Sequence, residues 1–101
     1  MEKFSDYIER NYDKVIGWGT SKYYEKTSQM LDDVEIEYLI DSDMTKHSKK
    51  IDNKVIYSPS ILNNENPDRI LIVVFSSFYN EICETINEYG NFYTISGKQL
   101  I

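Results

Sequence analysis

Apolar and polar residues alternate along this chain with two different periods, and the switches between them mark out its elements. Phe4, Tyr7, Ile8 and Tyr12 recur at helical spacing with Glu2, Asp6, Glu9 and Arg10 between them, which predicts an amphipathic helix from Glu2 to about Asp13. Val15 and Ile16 then run into Gly17 and Gly19. Tyr23, Tyr24, Thr27, Met30 and Leu31 follow at a period of about 3.6 residues, so the stretch reads as strand, tight turn, helix. In Val34 to Ile40 the alternation predicts a second strand, with Ile36, Tyr38 and Ile40 on one face and Glu35 and Glu37 on the other, ending at Asp41.

Ser42 to Lys50 is polar and reads as a loop. Asp52 and Asn53 tolerate positive φ, so Lys50-Ile51 and Lys54-Val55-Ile56 are expected to form a short edge hairpin around them. Ser58-Pro59 has the form of a helix start, which predicts one or two turns from Pro59 to Asn63 before the break at Asn66-Pro67. Ile70 to Phe75 is continuous and rich in β-branched residues, the pattern of a strand covered on both faces at the centre of a parallel sheet. Ser76 or Ser77 is expected to cap the next helix. Its buried stripe would be Phe78, Ile82, Cys83, Ile86 and Tyr89, with Gly90 stopping it and Asn91 to Ile95 forming the last strand.

Strands alternating with helices through short loops predict an α/β fold. The expected architecture is a single three-layer Rossmann-like domain over residues 1–101, with a mainly parallel sheet of four to five strands and the first and Ile70 strands adjacent at its centre. A chain of 101 residues sustains one hydrophobic core. It has room for little more than one of the two βαβαβ halves of a complete dinucleotide-binding domain.

Charge and composition remove several functions. Seventeen acidic residues against 11 basic ones give a net charge of −6, and the basic residues cluster only at Lys46, Lys49 and Lys50, so nucleic acid is not an expected partner. The longest apolar run, Ile70 to Phe75, is far too short for a membrane span. The start, Met1-Glu2-Lys3-Phe4, does not resemble a secretion signal, and a cytoplasmic location is expected. One cysteine, Cys83, and one histidine, His47, supply neither an internal disulfide nor a Cys/His metal site. Cys83 falls on the apolar side of its helix, and His47 reads as a solvated loop residue. No paired acid and base and no activated nucleophile stand out, so the isolated chain is expected to bind rather than catalyse.

The candidate chemistry lies at Gly17-Trp18-Gly19-Thr20-Ser21-Lys22. A strand that runs directly into a helix aims the helix's first amides into the crevice at the strand ends, where an anion is favoured. Thr20, Ser21 and Lys22 add two hydroxyls and a cation where helices usually carry acidic residues. The third glycine of the G-x-G-x-x-G pattern is replaced by Lys22. Asp41, at the end of the second strand, is placed to accept hydrogen bonds from ribose hydroxyls. Trp18 could stack on a base or sugar or pack beneath the neighbouring helix. Gly19→Val is expected to abolish binding without harming the fold, because its branches would occupy the space of a phosphate.

Val15 to Gly19, Leu39 to Asp43, Lys50 to Pro59 and Ile72 to Ser77 occur in an order that resembles a known family. It is the Rossmann-like nucleotide-sugar-binding domains at the N-termini of bacterial polysaccharide-biosynthesis proteins, including sugar acyltransferases, nucleotide-sugar dehydratases and sugar methyltransferases. The resemblance covers Lys14 to Ile95, and Lys22 and Asn53 depart from it by standing where many members carry glycine. It implies that Gly17, Gly19 and Thr20 approach the phosphates, that Asp41 meets the ribose or base, and that Ser76 and Ser77 line the far wall. The function it implies is a nucleotide or nucleotide-sugar binding module, with catalysis supplied by a partner domain or chain. Two alternatives stand beside it: a ligand-free interaction module that self-associates through exposed tyrosines, and an NAD-binding redox domain. The second lacks a Tyr-x-x-x-Lys pair and half of the fold.

Overall fold

A computed structural model describes residues 4–31 and 33–97, except the side chain of Met30. The predicted helix start at Glu2 and the contribution of Met30 to the second helix therefore lie outside what it describes. Helix α1 (Phe4–Asn11) leads into strand β1 (Lys14–Trp18), then α2 (Lys22–Thr27) with a 3-10 turn over Ser28–Leu31, and β2 (Leu39–Ile40). Next come β3 (Lys50–Ile51) and β4 (Lys54–Tyr57), 3-10 turns at Pro59–Asn64 and Pro67–Arg69, β5 (Ile70–Val74), α3 (Tyr79–Asn87) and β6 (Tyr93–Ser96).

The described residues form one mixed, mostly parallel sheet in the order β3-β4-β2-β1-β5-β6. β1 and β5 pair in parallel along their whole length, from Lys14 opposite Ile70 to Trp18 opposite Val74, at the sheet centre as expected. Among the described residues six strands are present rather than four to five. The hairpin accounts for the difference: β4 joins the parallel ladder beside β2, and the two-residue β3 pairs antiparallel with it. Asp52 and Asn53 take φ of 53° and 65°, the left-handed values a two-residue hairpin turn requires.

Alternation along β5 explains why each of its residues is buried. Leu71, Val73 and the following Phe75 join Ile8 of α1, Tyr24 of α2, Leu31 and Leu39 in one cluster. Ile70, Ile72 and Val74 join Ile16, Trp18, Ile40, Leu62, Ile86 of α3 and Phe92 in another. Apolar side chains leaving the strand in both directions thus find helices and turns on each side.

Three local expectations are corrected. Ile36 does not share a face with Tyr38 and Ile40. It packs with Leu39 against α1 and α2, whereas Tyr38 and Ile40 pack in the α3 cluster. The alternation breaks because residues 35–38 are not regular strand, although Glu37 still donates to the Val15 carbonyl and Gly17 to that of Tyr38, at 2.9 and 3.1 Å. Neither Ser76 nor Ser77 caps α3: Phe78 holds the N-cap position, and the Ser76 hydroxyl accepts from the Phe78 amide at 3.0 Å. Phe78 also leaves the buried stripe and stands 65% exposed, because it precedes the first helical residue and so falls outside the helical period.

Two tyrosines, the buried Tyr24 and the partly buried Tyr38, tie the sheet to its connections. The Tyr24 hydroxyl donates to Asp52 in the hairpin turn at 2.7 Å. The Tyr38 hydroxyl donates to Glu65 at 3.2 Å, and Lys14 at the start of β1 pairs with the same carboxylate at 2.8 Å. Burial first, then the neighbouring carboxylate, holds both phenols protonated above the ordinary tyrosine value of 10.0. The folded state thus binds these protons more tightly than the unfolded chain. Their contribution is complete below pH 10.0 and is lost as pH climbs beyond it. Urea midpoints should therefore fall above that pH, and Tyr24→Phe or Tyr38→Phe should flatten the fall. An unchanged alkaline slope in both variants would contradict this.

Candidate functional site

Parallel strands deliver their following loops to one edge of the sheet, and here the ends of β1, β2 and β5 enclose a cleft of about 350 Å³. After β1 the chain moves outward through β2 to β4, then crosses to β5 on the other side. The cleft therefore sits where the strand order reverses, the position at which open α/β sheets bind their ligands.

Its first wall comes from β1 and the turn after it: Trp18, Gly19, Thr20 and Ser21. Gly19 has φ +109°, and a Cβ there would lie 2.6 Å from the Phe75 carbonyl oxygen. Its amide donates to the Ile40 carbonyl at 2.7 Å, completing the β1–β2 ladder, so this N–H is already engaged. Gly19 is thus required by strand closeness. The expectation that Gly19→Val would spare the fold is overturned on that geometry. Ser21 stands at the N-cap of α2 without a side-chain capping bond.

The second wall follows β2. The Asp41 carboxylate accepts from the Thr20 hydroxyl at 2.6 Å and from the Asp43 amide at 2.9 Å, and Lys46 lies 3.7 Å away. Thr20, 9% exposed, thereby ties the glycine turn to the loop after β2. Asp43 in turn caps the 3-10 turn Met44–Lys46. The Thr45 hydroxyl and amide bonded to it hold its carboxyl below the ordinary carboxylate value. His47 is not simply solvated: it is half-buried, with Nε2 2.8 Å from the Asp41 carbonyl oxygen. A carbonyl only accepts, so a neutral imidazole must carry its proton on Nε2.

The third wall follows β5, where Phe75, Ser76, Phe78 and Ile82 line the cleft. Of the residues singled out from the sequence, Trp18, Gly19, Thr20, Ser21, Asp41 and Ser76 come together here. Gly17 lies buried within β1, and exposed Lys22 and Ser77 are not among the lining residues. Trp18 is 3% exposed and packs with Ile40, Leu62 and Ile86, which leaves little ring for a ligand. Sequence reasoning missed Ser42, Asp43, Lys46, Phe75, Phe78 and Ile82. The signal available for them was strand order, since the loops after neighbouring parallel strands must converge.

Among the described residues no group of three His, Cys, Asp or Glu stands close enough to hold a metal, and no helix is long and apolar enough to cross a membrane. A family model described as C2185-like, N-terminal, matches residues 11–96, from the last residue of α1 through β6. The chain belongs to that family. The match takes in all three walls of the cleft, so the cleft is part of the C2185-like N-terminal domain itself. Comparisons with curated proteins and with solved structures returned no match.

Proposed function

We propose that this C2185-like domain is a small-molecule-binding module of three-layer Rossmann-like type, taking a nucleotide or nucleotide sugar in the cleft at the ends of β1, β2 and β5. The observation that carries the reading is the coincidence of this cleft with the point where the strand order reverses. Its volume, about 350 Å³, is at the small end of ligand pockets, enough for one part of such a molecule. Asp43 and the serines can accept or donate to ligand hydroxyls. Within the glycine turn the Gly19 amide and Thr20 hydroxyl are engaged, so the Ser21 hydroxyl, which makes no capping bond, is the side-chain donor that turn can offer a phosphate. The reading assigns no catalytic group to the chain; a partner domain or chain of polysaccharide assembly, acting in the cytoplasm, would supply the reaction.

Calorimetric titration with UDP, UDP-sugars, NAD and NADP tests it. Heat with the sugar nucleotides is expected, together with amide NMR shifts at Ser21, Ser42 and Ser76. One observation favours a second reading, a ligand-free interaction module: Asp41 already has its partners within the fold. Absence of heat and of shifts at millimolar ligand would decide for that reading.

A further inference from the structure

We infer that Phe78 is the stacking platform for the planar base of the ligand; the inference rests on the nucleotide reading of the cleft and adds its orientation. Phe78 is 65% exposed at the cleft, an unusual place for a large apolar ring only four residues after the end of the fully covered β5. The ring is not carried on a loose loop. Its backbone amide donates to the Ser76 hydroxyl at 3.0 Å, and its carbonyl accepts from the Ile82 amide at 3.0 Å. Both backbone groups are thus fixed, so a ligand would meet a mounted ring without ordering a flexible segment.

The cleft is divided by chemistry. Phe78 and Ile82 make an apolar wall, while Ser42, Asp43 and Lys46 make a polar wall from the loop after β2. A nucleoside has the same division, with a flat heterocycle at one end and hydroxyls at the other. Among the charged lining residues two are carboxylates, Asp41 and Asp43, and one is a lysine already facing Asp41. This balance favours a neutral base and its ribose over phosphate between these walls.

Phe78 covers little of the core, so Phe78→Ala should fold as the parent does, which circular dichroism checks. Titration of the full chain with UDP, ADP and glucose 1-phosphate separates the outcomes. Loss of the ring should weaken UDP and ADP by roughly ten-fold or more, leave glucose 1-phosphate unchanged, and be restored by Phe78→Tyr. Saturation-transfer NMR should place base protons against the ring. Equal UDP and ADP affinity in Phe78→Ala and parent would overturn the inference while leaving the nucleotide reading intact. Binding of glucose 1-phosphate alone by the parent would also overturn it, since no base would be recognised. Failure of the parent to bind any of the three would remove the nucleotide reading, and the platform with it.

Discussion

Gly19→Val should cost about 3 kcal/mol or more of folding stability, a large share of the roughly 5–15 kcal/mol that holds a domain of this kind together. Two effects add at this residue. Its φ of +109° lies where a branched side chain is strained, by about 1–3 kcal/mol. Its Cβ would also sit 2.6 Å from the backbone oxygen of Phe75, which no rotamer change can move. Retreat is blocked as well, because the Gly19 amide is bonded to Ile40 at 2.7 Å and the Phe75 amide to the Trp18 carbonyl at 2.8 Å. Separating β1 from β5 would break the sheet at its centre. Urea unfolding followed by circular dichroism measures the loss. Gly19→Ala within about 1 kcal/mol of the parent would show that the turn relaxes more readily than these bonds imply.

Glycine turns of two kinds share one local sequence pattern. Gly17-Trp18-Gly19 follows a strand and precedes a helix, as a phosphate-binding turn does, and the local pattern is the same whether glycine admits a ligand or a neighbouring strand. The distinction depends on Phe75, 56 positions further along the chain. The parallel core was legible because β5 is a continuous apolar run and Val15-Ile16 leads straight into the glycine turn, and the hairpin because Asp52 and Asn53 suit its turn. Face assignments in 34–40 were not, since Leu39 and Ile40 are both apolar and both buried, so alternation there carries no information. Asp41 was placed correctly at its strand end. Its bonds to Thr20 and Asp43 were not visible, because they depend on how two loops meet. Phe78 was misplaced by a helix boundary shifted one or two residues, which decides between core and cleft.

Phe75→Ala should be the most damaging truncation of a core side chain, at about 3–5 kcal/mol. The ring is 1% exposed and meets Tyr24 edge-on, with centroids 5.2 Å apart. Glycines make room for it: a Cβ at Gly17 would lie 3.0 Å from its Cε2, and one at Gly97 would lie 3.0 Å from its Cδ1. Gly17 and Gly97 therefore have no side chains with which to fill the space the ring leaves, and the cavity should persist. The same geometry predicts a coupling that simple loss of burial would not. Gly97→Ala in the parent must push the ring aside, whereas in a Phe75→Val background its methyl enters vacated space, with only ordinary contact to the Val74 carbonyl at 3.4 Å. The double variant should then be more stable than the two single costs predict, by about 0.5–1.5 kcal/mol, within the range seen for residues in contact. Urea unfolding of the parent, both single variants and the double variant measures this cycle. Additivity within about 0.3 kcal/mol would mean that Gly97 is not spacing the ring.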